Sequence, residues 1–252
     1  MSVPEIKNHE SPGSKKLSRI VAYLSPILFY AIYKIVTVLS LSLFHNGTRP
    51  NVVEQLVPVS IAMLLTTIIG LTISGQIKNF KIIIGLKKPS TKYLLIGGIL
   101  GLGLFIILEI VGVMTHVAGA DTGSNEISQQ MYQLSGLTKI IGLFIIMAFL
   151  APIVEEIFFR GFILNLLRIG HSVDSTSWNP GTKFTSILFV STFFALAHFQ
   201  GGSDFSGTMS LIWPFTFSVL SCILRIESDS IVPSFIMHIF YNLLTAVVIS
   251  LA

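Results

Sequence analysis

The chain has 252 residues, of which 52% are apolar and only 11% charged, and its formal net charge is +4. A mean hydropathy of +0.80 implies more apolar surface than one soluble core of this length can bury. The composition therefore excludes an ordinary soluble domain and makes a lipid bilayer the expected partner. The lone cysteine, Cys222, excludes an intramolecular disulfide and a cysteine-based zinc site.

In chain order, residues 1–19 hold Lys7, Lys15, Lys16 and Arg19 and are expected as a cytoplasmic N-terminal segment. Residues 20–252 are expected to form a single transmembrane domain. A span needs about 20 mainly apolar residues to cross the ~30 Å hydrocarbon core, and such runs recur. The first, Ile20–Phe44, is too long for a signal-peptide core and has no small-residue cleavage site after it, so it reads as a retained span. Val52–Ile73 follows, then Tyr93–Val117, whose Gly97 and Gly101 form a GxxxG that predicts a close helix contact. The fourth run, Leu137–Arg168, is long enough for one tilted helix or for two broken near Pro152. Phe184–Phe199, Thr208–Leu224 and Ile231–Leu251 complete the set. The fold class is thus all-α, a polytopic membrane helix bundle of about seven or eight transmembrane helices.

Lysine and arginine alternate between connections. Lys78, Lys81, Lys87, Lys88 and Lys92 fill the second connection, Arg168 and Lys183 flank the fourth span, and Arg225 follows the sixth. The other connections hold little beyond Arg49 and Lys139. This pattern predicts a multi-pass protein of the cell membrane with its N-terminus in the cytoplasm. The positive charge is a topology signal, so no nucleic-acid partner is expected. Lys78–Lys92 reads as a solvated cytoplasmic loop, and 119–136 as a polar external connection without calcium-loop spacing.

Polar side chains inside three of these runs carry the chemistry. A charged group in hydrocarbon costs about 2.5–3.5 kcal/mol even on the lenient insertion scale. Yet Glu155, Glu156 and Arg160 lie in FLAPIVEEIFFRGF, His198 in FVSTFFALAHF, and His238 with Asn242 in FIMHIFYNLL. Glu156 and Arg160 are related by i,i+4 with the acid first, the favoured sense for an ion pair. Adjacent Glu155 points about 100° away and is left as the free carboxylate, a candidate general base. His238 and Asn242 share one helix face, a suitable donor pair for an oxygen that gains negative charge. Phe194, one turn before His198, could fix the imidazole rotamer or wall the site.

The same residues permit a metal. Glu155, His198 and His238 make a His₂-carboxylate set of the kind that holds Zn²⁺ with an open fourth position. The HExxH signature is absent, so spacing alone requires no cofactor. Both versions activate a water against a carbonyl.

The EExxxR, FxxxH and HxxxN segments, in this order on successive apolar runs, resemble the CPBP family of intramembrane proteases (CAAX-type and bacteriocin-processing enzymes, also called Abi proteins). They stand here as Glu155-Glu156-Ile157-Phe158-Phe159-Arg160, Phe194-Ala195-Leu196-Ala197-His198 and His238-Ile239-Phe240-Tyr241-Asn242. The resemblance covers the C-terminal half, with the motifs in 150–245. It implies that Glu155 and His198 activate water, that His238 and Asn242 stabilise the oxyanion, and that the substrate is a membrane-associated peptide or protein. Candidate substrates are a bacteriocin or signalling-peptide precursor or a CAAX-like C-terminus.

Blander readings exist for each part. An EE pair with Arg also describes an interfacial helix end with snorkelling charges. A single histidine on an apolar face is usually a packing residue, and only the combination favours catalysis. Glu109, His116 and Lys34 read as a structural ion pair or as lining of a substrate path, with the structural role favoured; His45 and His171 read as loop or interface residues. A self-immunity or scaffold protein without proteolysis, and a proton-coupled transporter, are the alternative functions.

Overall fold

The computed structural model describes residues 24, 27–39, 42, 52–73, 80–117, 133–171, 178, 180–199 and 205–251. The expected N-terminal segment 1–19, the ends of the first span, most of the 119–136 connection and His45 lie outside these residues. Every regular element among the described residues is helical: α1 (Ile27–Leu39), α2 (Val52–Ile73), α3 (Phe80–Ile84), α4 (Thr91–Val117), α5 (136–171), α6 (Pro180–His198), α7 (Phe205–Ser228) and α8 (Val232–Leu251). The sequence placed α2 at the observed limits, and the later spans within a few residues.

Among the described residues four helices are long and apolar enough to cross a membrane: Thr91–Met114, Gly136–Arg168, Gly207–Ser228 and Val232–Leu251. Ile27–Leu39 and Leu56–Thr72 are shorter apolar helices. The nineteen-residue α6 falls outside this set; Thr182, Lys183, Thr185, Ser186, Ser191 and Thr192 dilute its apolar run. Only 17% of the apolar α4 window is buried inside the molecule, and Leu95, Ile99, Ile106, Ile110 and Val113 point outward. Such a surface belongs in lipid.

α5 is one unbroken helix, so the alternative of a break near Pro152 is not realised. Two π-helical stretches, Ile141–Leu150 and Ile157–Ile163, flank the α-helical Ala151–Glu156, and every junction residue keeps right-handed helical dihedrals. Pro152 lies in the first turn of that central stretch, where a missing N–H is tolerated.

α5 is the hub. α2 packs on it, α8 packs on both α5 and α4, and α6 pairs with α7. The core at the hub is aromatic: Phe158, Phe159, Phe162 and Phe194 are all buried. Phe29 of α1 meets Phe162 edge-on at 5.1 Å. The predicted GxxxG contact is internal. A Cβ on Gly97 would lie 2.5 Å from the Pro233 carbonyl oxygen, and one on Gly101 would overlap that of Met237, so glycine sets the approach of α4 to α8.

The second connection differs from the expected loop. It contains α3, whose Ile83 and Ile84 are buried under α5. Gly85 ends it at φ +77°, with a Cβ position already filled by the Arg225 guanidinium. The Gly85 carbonyl accepts from Ile231 N–H at 3.0 Å, and Ser230 Oγ donates to the Lys87 carbonyl at 2.6 Å. Lys87 pairs with Asp229, and Lys183 with Glu227. The basic connections therefore meet at one end of the bundle.

Candidate active site

Glu156 organises the polar centre. Its carboxylate is fully buried and faces three partners: Arg160 Nη1 at 3.1 Å, Ser221 Oγ donating at 2.9 Å, and His238 Nδ1 at 3.0 Å. The Arg160 pairing is the one that i,i+4 spacing predicted. Ser221 and His238 come from α7 and α8, and no local spacing pointed to them. Because a carboxylate only accepts, His238 Nδ1 carries a proton, and its Nε2 is turned toward Glu155.

Arg160 is the largest fully buried side chain. Its guanidinium lies 4.4 Å from the Phe194 ring centroid, which covers one face of the charge. His198 also stacks on the Phe194 ring, with the centroids 4.3 Å apart. The Phe194 carbonyl accepts from His198 Nδ1 at 2.9 Å. Phe194 thus fixes the His198 ring twice, by stacking and by its backbone, as its position one turn earlier suggested. With Nδ1 donating, neutral His198 presents an accepting Nε2 to the chamber.

Both imidazoles aim Nε2 at one atom. Glu155 Oε2 lies 3.6 Å from His198 Nε2 and 3.8 Å from His238 Nε2. These separations are too long for direct hydrogen bonds and suit a small molecule touching two groups at once. Oε2 is buried and has no hydrogen-bond partner among the described residues. Buried carboxylate oxygens without partners are rare and costly in a stable fold.

Asn242 sits one turn beyond His238 on the same face of α8, and its Nδ2 donates to the Met147 carbonyl at 2.9 Å. That carbonyl is open for a local reason. In the π-helical register Ala151 N–H bonds Ile146 O, five residues back. The next rung would join residue 152 to Met147 O, but position 152 is proline and has no N–H. Asn242 takes the rung that Pro152 cannot make, which leaves its second amide hydrogen uncommitted. The sequence showed Pro152 and Asn242 but not their relation.

Glu155, Glu156, Arg160, Phe194, His198 and His238 are therefore brought together, with Asn242 adjoining. Glu109 is exposed on α4, and the side chains of His116 and His171 lie outside the described residues. Lys34 makes no ion pair among the described residues; its ammonium lies over the rings of Tyr30 and Tyr33. Among the described residues no three His, Cys, Asp or Glu side chains are arranged as a metal-binding set. The Glu155–His198–His238 group does not meet that arrangement.

Comparison with known proteins adds one match. No curated protein and no solved structure matches the chain. Residues 137–244, from the start of α5 to the middle of α8, match the family model described as type II CAAX prenyl endopeptidase Rce1-like. The matched stretch, less than half of the chain, carries all three motifs and all seven site residues.

Proposed function

We propose that this chain is an intramembrane peptide endopeptidase in which Glu155 and His198 activate a water, and His238 and Asn242 hold the oxyanion. The supporting observation is Glu155 Oε2, a buried carboxylate oxygen with no hydrogen bond, faced by two imidazole nitrogens at 3.6 and 3.8 Å. A water there donates one hydrogen to Glu155 and the other to His198 Nε2. As it attacks the scissile carbonyl, its proton passes to Glu155. The new C–O bond leaves negative charge on the former carbonyl oxygen, which accepts from His238 and from the free Asn242 amide hydrogen. With Nδ1 committed to Glu156, His238 donates through Nε2 when both ring nitrogens carry protons. Collapse breaks the C–N bond, and the proton on Glu155 goes to the departing amine.

The substrate in this reading is a membrane-associated peptide or protein: a CAAX-like C-terminus, or a bacteriocin or signalling precursor. In this reading the N-terminus lies in the cytoplasm, as the lysine and arginine pattern favours. Glu155 lies thirteen residues before Arg168, His198 fifteen after Lys183, and His238 thirteen after Arg225. At 1.5 Å per residue Glu155 and His198 are about 20 Å along their helices from a basic end, and His238, six residues into α8, is about 9 Å from the start of its helix. The test uses full-length protein in detergent and an internally quenched prenylated CAAX peptide. Hydrolysis should vanish in Glu155→Gln and persist in Glu109→Ala. Folded wild type that cleaves no membrane peptide would remove the endopeptidase reading in favour of immunity or transport.

A further inference from the structure

α7 carries none of the three motifs, yet one of its faces is turned to the polar centre. Phe217 and Ser221 lie one turn apart on that face. The Phe217 ring stands 4.5 Å from the His238 imidazole, centroid to centroid, and Ser221 Oγ donates to Glu156 Oε2 at 2.9 Å. Ser221 and Glu156 are both fully buried. Other hydroxyls on α7 turn back to their own helix: Thr216 donates to the Ile212 carbonyl and Ser228 to that of Leu224, the local outlet open to a helical serine or threonine. Ser221 gives its one hydrogen to α5 instead. The consequence lies at the other carboxylate oxygen. Glu156 Oε1 serves both Arg160 Nη1 at 3.1 Å and His238 Nδ1 at 3.0 Å. The last torsion of a glutamate is broad and roughly two-fold. A carboxylate held through Oε1 alone is therefore free to turn and present both oxygens to the Arg160 fork, which draws the acceptor away from His238. Ser221 on Oε2 opposes that turn.

We propose that Ser221 is a positioning residue: through Glu156 it sets the direction of the His238 imidazole, and with it the aim of Nε2 at Glu155. Its effect on turnover rests on the endopeptidase reading and deepens it. The His238 ring plane is set by Phe217, and the direction of the ring within that plane by the acceptor at Nδ1. Ser234 supplies the matched structural case. It is equally buried and lies one turn before His238 on α8. Its Oγ donates at 3.0 Å to the Ser221 carbonyl, so it ties α8 to the backbone of α7 and leaves the Ser221 hydroxyl free to meet Glu156. One serine thus orients the carboxylate, and the other only joins two helices.

The test uses full-length protein in detergent, with hydrolysis of an internally quenched prenylated CAAX peptide as one readout. The second is the magnetic resonance of the His238 Nδ1 proton in protein carrying isotope-labelled histidine, assigned by its loss in His238→Gln. Ser221→Ala should lower kcat about tenfold at nearly unchanged KM, the scale of one hydrogen bond to a charged group, and should move the Nδ1 proton resonance. Ser221→Thr keeps the hydroxyl and should retain both. Ser234→Ala should lower the melting temperature about as far as Ser221→Ala while leaving kcat and the resonance in place. Should Ser221→Ala fail to fold, Ser221→Cys keeps a side chain of similar shape with only a weak donor and should show the same loss and the same shift. Wild-type kcat and an unmoved resonance in a folded Ser221 variant that lacks the hydroxyl overturn the proposal. Equal changes in Ser234→Ala also overturn it, because the serines would then act through packing alone. A resonance that moves in Ser221→Ala, in a protein whose wild type cleaves no membrane peptide, would retire the endopeptidase reading and keep the positioning contact.

Discussion

The adjacent carboxylates Glu155 and Glu156 should respond in opposite ways to the same substitution. Glu156 is fully buried against Arg160 and accepts from Ser221 and His238. Glu156→Gln removes the charge opposite a guanidinium that is itself 0% exposed. Breaking a buried pair from one side costs about 3–5 kcal/mol, which for a chain of this size is roughly 10 °C in melting temperature. The His238 ring also loses its charged acceptor at Nδ1, so turnover falls together with stability. Glu155→Gln removes a charge whose Oε2 has no hydrogen bond, so folding loses little and gains relief from desolvation, while loss of the base costs about 10²–10⁴ in rate. The assay is a thermal melt in detergent alongside hydrolysis of a quenched peptide. Glu156→Gln combined with Arg160→Met should restore the melting temperature without restoring activity. A Glu155→Gln protein that melts as early as Glu156→Gln would refute the assignment, as would full activity in Glu155→Gln.

Other outcomes follow from individual contacts. Pro152→Ala supplies an N–H for Met147 O, competes with Asn242, and should lower kcat several-fold with the melting temperature nearly unchanged; unchanged kcat would mean that the Asn242 clamp has no part in turnover. Activity should survive dialysis against a chelator; chelator-sensitive turnover restored by Zn²⁺, with stoichiometric metal in the pure protein, would restore the His₂-carboxylate alternative. Cysteines placed beside Glu155, His198 and His238 should react with a small polar thiol reagent added from the cytoplasmic side, and labelling only from outside would invert the proposed topology. At the basic end, partial burial raises the Asp229 carboxyl, but the Lys87 hydrogen bond and the charges of Lys87, Arg225 and Arg168 outweigh it and hold it below the usual range. A lowered folded value gives stability that is present above the unfolded value, about 3.9, and lost as pH falls through the folded one. The small melting difference between wild type and Asp229→Asn should therefore be constant from neutrality to about pH 5 and shrink only below about pH 4; a difference that shrinks near pH 6 would contradict this.

Hydrophobic runs and the i,i+4 rule are properties of single helices, and whatever depended on them was legible in the chain. The limits of α2, the Glu156–Arg160 pair, the shared face of His238 and Asn242, and the Phe194–His198 stack all came from spacing alone. Composition was enough to require a bilayer, because apolar surface that a small core cannot hide must face lipid. Spacing could not show that Glu156 also holds Ser221 and His238, 65 and 82 residues away. Nor could it show that Asn242 completes a helix rung 95 residues away, or that α3 buries Ile83 and Ile84 inside a lysine-rich connection. Those contacts depend on which faces of different helices meet, and that choice is made by packing: glycines that admit α8 against α4, phenylalanines that lock α5 to α6, and π-helical turns that shift the α5 face. The sequence by itself supplied the reactive groups. Only the tertiary structure decided that both imidazoles turn their free nitrogens to Glu155, because side chains on separate helices share an atom only when the helices are packed.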